Sequence, residues 1–300
     1  MILAFIFVFG LVIGSFLNVC ITRIPEEVSI VAPGSRCPRC GTPIKWYDNV
    51  PVLGWMWLRA KCRSCGLPIS GMYPLVELAT GLLFVACYLE FGLTQTMVKW
   101  LFFTCLLIVL TITDLRVRML PDLVNWPGFA AGLFFSAVVP PDDGTAAWLS
   151  VSFGHLLLPP RALGLLDGLL GAAFGSFVLW AVAAIYKRVR GREGMGMGDV
   201  KMMAMVGAFL GVRGAFMTIL LGTLLGTLVG VAIILVLYLV GWQRKLAERA
   251  SRRGLGSVSN LRWTIATQYQ LPLGTFLGIA AVLVVYFEAE LVRHWSRVVT

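Results

Sequence analysis

Charge is scarce in this sequence. Asp, Glu, Lys and Arg make up 13% of its 300 residues against 58% hydrophobic, and mean hydropathy is +0.85. A globular core saturates well below that apolar share, so a soluble fold is excluded and the excess surface must face lipid. No basic segment precedes the first apolar run (1–21), and the chain beyond it is equally apolar. That run therefore reads as a first span and not as a removable signal. Basic residues sit beside apolar run ends and never on an aromatic-studded soluble face, which argues against nucleic acid as a partner.

Long uncharged runs fill the space that charge leaves. A spanning helix needs about 20 mostly apolar residues, and eight such segments are predicted: 2–21, 73–91, 97–113, 122–140, 163–186, 200–213, 215–240 and 272–292. The sixth is short, but 202–240 carries one charge, Arg213, over enough chain to cross twice. With that parity the loops 22–71, 114–121, 187–199 and 241–271, with Lys201 at their edge, hold 20 of the 25 Lys and Arg. Lys99, Arg161, Arg213, Arg293 and Arg297 remain on the other side. The asymmetry puts the basic loops in the cytoplasm and both termini outside.

Seven cysteines divide into two kinds. Cys20, Cys87 and Cys105 lie in or beside apolar helices and read as packing residues. The other four fall in a repeated octapeptide, CPRCGTPI and CRSCGLPI, as Cys37, Cys40, Cys62 and Cys65. A CxxC pair followed by Gly makes a tight turn whose backbone N–H groups can face the sulfurs, and two such turns give a closed four-thiolate site. The 21 residues between the pairs slightly exceed the usual spacing, which a loop absorbs. A pair of disulfides is the alternative, and a cytoplasmic loop disfavours it. The site is expected to hold a structural zinc ion, because four thiolates leave no open position for catalysis. The expected architecture is an all-α polytopic membrane protein of about eight transmembrane helices. Its parts are a first span (1–21), a small cytoplasmic zinc-knuckle loop (22–71) and a transmembrane remainder (72–300).

The few acids are informative by position. Asp142 and Asp143 look like solvated turn residues, as do Glu26, Glu27 and Glu193. Asp48 lies in a polar turn, WYDNVP. Asp114 ends the third span and Asp199 opens the sixth, so both fall at the same rim of the bilayer although 84 residues separate them. Two carboxylates sharing a site cannot both ionise cheaply, which supplies a base to activate water and an acid to protonate a leaving amine. Gly196 and Gly198 would let an extended peptide approach Asp199. Singly, each acid has an ordinary reading: Asp199 as a helix cap, Asp122 as a cap for the fourth span, Asp114 as an interfacial partner of Arg116 or Arg118. His155 and His294 read as surface or interfacial residues.

At this point the chain resembles the type IV prepilin peptidase family. The resemblance rests on GSFLNVCITRIP (14–25), the two CxxC pairs around WYDNVPVLGW (46–55), YPLVELATG (73–81), TDLRVRMLPD (113–122), GMGMGDVKM (194–202) and LPLGTFLG (271–278), in family order across nearly the whole chain. It implies a bifunctional leader peptidase and N-methyltransferase of the bacterial inner membrane, serving type IV pilus or type II secretion systems. Asp114 and Asp199 would be the catalytic aspartates. The substrate would be a prepilin or pseudopilin, cut after a glycine, and the new N-terminus would be methylated from S-adenosylmethionine. The cysteine loop accompanies methylating members. The segments 141–162 and 241–270 look longer than usual. No glycine-rich dinucleotide-type fingerprint marks where the methyl donor binds, and Glu77, inside the second span, and Asp48 are the only pointers, thin ones. The alternatives are a peptidase without methyl transfer and, from another class, a proton- or cation-coupled transporter.

Overall fold

The computed structural model describes residues 1–141, 143–154, 158–192, 194–239 and 272–299. Asp142, His155, Glu193 and the 241–271 loop lie outside the described residues, as does the side chain of His294. The chain folds as α1 (Ile2–Arg23), α2 (Leu53–Trp57), α3 (Met72–Phe91), α4 (Gln95–Val117), α5 (Asp122–Val138), α6 (Thr145–Gly154), α7 (Pro160–Arg190), α8 (Met197–Leu239) and α9 (Leu273–Val299). Among the described residues there is no strand, only two isolated bridge pairs in the loop between α1 and α3. The protein is an all-α membrane protein. Five helices, α1, α3, α4, α7 and α8, are long and apolar enough to cross a membrane, while α5 and the 273–287 part of α9 are apolar but shorter.

α8 is two helices joined at a kink. Gly211 has φ 76° and ψ −171°, a conformation that only glycine adopts without strain. Counting its two arms, the elements match the eight expected segments, with the break at Gly211 and not Gly214. Lipid offers no hydrogen bonds, so amides freed at such a break need a partner from the protein. Asp143 supplies it: its carboxylate accepts from the N–H of Val212 at 2.8 Å and of Arg213 at 3.1 Å. Asp143 is therefore not a solvated turn residue but the cap of the second arm. Sequence reading missed it because the cap and the capped amides are 69 residues apart. Lys99 also departs from expectation. It is fully buried, donates to the Val139 carbonyl at 3.0 Å and lies over the Trp100 ring.

The bundle's interior is built from α4, the first arm of α8 and α9. Phe103, Leu110, Met202, Phe209, Leu277 and Val284 are fully buried, and Phe103 stacks on Phe209 with ring centroids 4.5 Å apart. Large apolar side chains such as Phe5, Val12 and Phe16 of α1 and Leu224 and Leu228 of α8 are exposed, as a lipid-facing surface requires. Between lipid-embedded helices there is little hydrophobic drive, so association depends on close packing at small residues. α1 meets α3 in this way: side chains at Gly10 and Gly14 would fall within 2.8 Å of the Gly81 Cα and 2.7 Å of the Glu77 Cα. The Asn18 amide adds a hydrogen bond to the Tyr73 carbonyl at 3.0 Å. The 22–71 loop thus starts and finishes against one helix pair, at the end of the bundle where α4 stops and α8 and α9 start.

Candidate active site and candidate metal centre

The two aspartates singled out by the sequence meet at that end of the bundle. Asp114 is the fourth-last residue of α4 and 6% exposed; Asp199 is in the first turn of α8 and 9% exposed. They converge on Gly274, at the start of α9. A Cβ at Gly274 would lie 2.9 Å from Asp114 Oδ2 and 3.0 Å from Asp199 Oδ1, so only a glycine leaves the space between the two carboxylates open. Neither ordinary reading of these acids fits. The Asp114 carboxylate is not paired with Arg116 or Arg118; its Oδ2 accepts from the Thr275 N–H at 2.7 Å and the Thr275 hydroxyl at 3.0 Å. Asp199 stands two residues inside α8, which starts at Met197, and faces the Gly274 backbone. Asp122 is not a cap either: Pro121 holds that position, and Asp122 pairs with Lys201 at 2.7 Å, tying α5 to α8.

Both aspartates open into a cavity of about 1150 Å³ whose wall includes Glu27, Arg118, Leu120, Gly196, Gly198 and Pro272. Gly196 has room around it: a side chain there would meet Asp199 only at 3.8 Å. Gly198 is different. A Cβ there would fall 2.9 Å from the Leu120 Cβ, so this glycine lets the start of α8 pack on the α4–α5 corner. Of the two loop acids, Glu27 lines the cavity.

The four loop cysteines form a second constellation. Their sulfurs all lie within 4.8 Å of one another, with Cys37 and Cys65 at 4.0 Å. Tetrahedral zinc with Zn–S of about 2.3 Å would set them roughly 3.8 Å apart. The two octapeptides fold alike: Cys37 N–H donates to Thr42 O at 3.0 Å and Cys62 N–H to Leu67 O at 2.9 Å, and Gly41 and Gly66 both have φ 70°. In each, the bridge pairs Arg36 with Pro43 and Lys61 with Pro68. The Thr42 hydroxyl, then its backbone, holds the Cys40 thiol down to about 6. The N–H groups of Cys65 and Ser64 lower that of Cys62. Cys65 faces the Leu67 N–H, yet burial and its three thiol neighbours push it up to about 11. A bound dication would displace the protons these thiols carry. The donor set and geometry fit a metal such as zinc.

Two family models divide the chain between these constellations. The Bacterial Peptidase A24 N-terminal domain matches residues 8–91, and the Type IV leader peptidase family matches residues 101–231. The chain belongs to the type IV leader peptidase family. It is an enzyme of that family, and the transporter reading falls. Relatives named prepilin leader peptidase/N-methyltransferase include one from Myxococcus xanthus (strain DK1622), 41% identical over 80% of this chain and 64% of the relative. One from Klebsiella pneumoniae is 35% identical over 73% of this chain and 90% of the relative. Another, from Xanthomonas campestris pv. campestris, is 34% identical over 96% and 92%. No solved structure matches.

The residue at this site that sequence reasoning missed is Thr275. The stretch LPLGTFLG carried the family resemblance, but nothing in it announced a contact with Asp114, 161 residues away. Losing a hydrogen bond to a charged group costs about 1.5–3 kcal/mol. Thr275→Val should therefore lower kcat for leader cleavage about tenfold or more with KM little changed, and Thr275→Ser should restore it. Equal activity of the Val variant would show that the backbone N–H alone holds Asp114.

Proposed function

We propose that this leader peptidase removes the basic leader of type IV prepilins or pseudopilins after a glycine by aspartyl chemistry, and N-methylates the residue thereby exposed. The observation that carries the reading is the pair of buried carboxylates, Asp114 and Asp199, meeting across Gly274 at the wall of a peptide-sized cavity. One carboxylate, ionised, takes a proton from a water molecule as its oxygen attacks the scissile carbonyl. The other, protonated, delivers its proton to the departing amide nitrogen. Thr275 orients Asp114, and Gly274 and Gly196 leave room for an extended backbone. No metal is needed for that step.

Zinc at Cys37, Cys40, Cys62 and Cys65 would be structural. S-adenosylmethionine would supply a methyl carbon made electrophilic by its sulfonium. The asymmetry of the basic loops supports a site on the cytoplasmic face of a bacterial inner membrane, with both termini outside. Residues 22–71 then form the metal loop and 72–300 the peptidase portion.

The test is incubation of the purified protein, in lipid, with a prepilin, reading leader loss and the added methyl by mass spectrometry. An uncut substrate overturns the peptidase reading; a cut but unmethylated product leaves a peptidase alone. The same assay tests how a basic leader is received. Glu27 on the cavity wall and its neighbour Glu26 are the acids at the exit of α1, and exposed ion pairs contribute about 0.2–1 kcal/mol each. Charge reversal at both should raise KM about threefold or more for a Lys/Arg-rich leader and leave a neutralised leader nearly unaffected. Equal shifts for both leaders would remove these acids from recognition.

A further inference from the structure

The α-helix of the four-cysteine loop, α2, turns its apolar side outward. Its orientation is fixed from within. Gly54 packs on the Asp48 carbonyl too closely for any side chain, and Asp48 is held in turn by a two-point pair with Arg63 at 2.6 and 2.8 Å. The Trp55 indole N–H donates to the Ile69 carbonyl at 3.2 Å. Two successive left-handed residues, Arg59 (φ 50°) and Ala60 (φ 59°), follow the helix and keep it to five residues. With Gly54 and Trp55 taken up on the inner side, Leu53, Met56 and Trp57 face away, at 64%, 61% and 82% exposure. Their spacing, i, i+3 and i+4, places them on one face. A helix in water turns such a face toward its own protein. Among the described residues nothing covers this one.

Depth says what lies against it. The residue before α2, Val52, donates its N–H to Glu77 of α3 at 2.7 Å, and this bond helps hold a β-branched residue at φ 61°. Glu77 is five residues past Met72, the first residue of α3, so about 7–8 Å along the axis from that end. α3 has 20 residues and is therefore about 30 Å long, the thickness of a bilayer's hydrocarbon core. If α3 crosses the membrane, the start of α2 stands where headgroups meet acyl chains and not out in water. α1 gives the same level: Gly14, which packs on the Glu77 Cα, is nine residues short of the end of α1 at Arg23. The loop thus folds back along the helix pair toward the bilayer.

The neighbouring surface agrees. Leu75, Leu78 and Leu82 of α3 are exposed at a spacing that puts them on one face, a stripe that faces lipid. The stripe flanks Glu77, so α2 begins beside a lipid-facing surface and extends it. The side chains suit that place as well: tryptophan is enriched where apolar chains meet headgroups. Arg59 and Lys61, exposed just beyond Trp57, have stems long enough to keep their charges among headgroups.

We propose that α2 is an interfacial membrane anchor for the four-cysteine loop, with Leu53, Met56 and Trp57 seated in the boundary between headgroups and acyl chains beside α1 and α3. Faces of this kind sink about 5–10 Å into that boundary, the level that Val52 already reaches. The loop then has two holds, the four-cysteine cluster and the lipid surface. Together they leave it one orientation at the end of the bundle where Asp114 and Asp199 lie.

The experiment uses the full chain, metal-loaded, in nanodiscs whose lipids carry a photoreactive diazirine on the acyl chain next to the glycerol. After irradiation, mass spectrometry should find label on 53–57, with the outward side chains of α1 and α3 as the internal positive control. Hydrogen exchange gives a second reading. The amides of Gly54, Met56 and Leu58 are bonded within α2 and its flanks, but so short a helix does not hold itself in water, and their protection reports the anchor. Leu53→Glu/Trp57→Glu should lose the lipid label and exchange these amides at least tenfold faster, with zinc content unchanged. Trp57→Phe should keep both label and protection. An unlabelled 53–57 in a wild-type protein whose α1 and α3 are labelled overturns the anchor. Amides that are protected there without label give the face to protein, a second copy or the 241–271 stretch of this chain. Wild-type label and exchange in the double variant would equally take Leu53 and Trp57 out of the role.

Discussion

Asp114→Asn and Asp199→Asn are each expected to abolish leader cleavage while the protein stays folded and membrane-inserted. An amide can neither take a proton from water nor give one to an amine, and in the proposed mechanism the two acids work as a unit. Removing either should therefore cost several orders of magnitude in rate, and removing both little more than one. The wild-type contacts predict that folding survives: an Asn at 114 still offers an oxygen to the Thr275 N–H and hydroxyl. Circular dichroism and thermal melting in lipid check that point, and mass spectrometry of a cleaved prepilin reads the rate. Near-wild-type cleavage by either variant would take that residue out of the proposed pair. Asp122→Asn is the contrast. Its partner is Lys201 at the surface, an exposed pair of about 0–1 kcal/mol, so cleavage should stay within a few-fold of wild type.

Metal removal is expected to have the next largest effect, and to fall elsewhere. Purified protein should carry about one zinc per chain, and Cys62→Ser/Cys65→Ser should carry none. The loop has almost nothing else to fold around. Between residues 22 and 71 only Cys37 and Gly54 are buried, and Trp46 and Trp57 are 83% and 82% exposed. A structural zinc contributes on the order of 10 kcal/mol to such a fold, more than this loop's few apolar contacts can. The metal-free variant should then be cut by protease within 22–71 before the helices are touched. Methyl transfer, the activity proposed alongside this loop, should fall furthest, because Asp114 and Asp199 lie on helices outside it. Leader cleavage should keep more of its rate. Full metal in the double variant would exclude the four-cysteine site. Loss of metal with unaltered protease resistance and unaltered activities would mean that the ion is not what holds the loop.

What the sequence made legible is what local chemistry dictates. Apolar runs announce helices, and a repeated CxxC-Gly turn announces its own geometry, which the matched bonds of Cys37 and Cys62 display. The convergence of Asp114 and Asp199 was readable because helix ends at one membrane face have few places to go. The hidden features depend on contacts far apart in the chain. Thr275 meets Asp114 across 161 residues and Asp143 caps α8 across 69; each looks like an ordinary polar residue in its own neighbourhood. The boundary between the two arms of α8 reads in sequence from the single charge, Arg213, whereas the break lies at Gly211, where the Asp143 carboxylate caps the freed amides. α6 was missed for another reason: inside a connecting segment read as loop, ten residues carry too little pattern to declare a helix.

The Thr275 contact also has a consequence in time. Asp114 is made early during synthesis and Asp199 later, but the glycine that spaces them and the threonine that aims Asp114 belong to α9. A ribosome-bound chain that has inserted everything through α8 therefore carries both acids without the residues of α9 that space and hold them. On the proposed aspartyl reading, the site is completed only when α9 docks, last of the helices to be made.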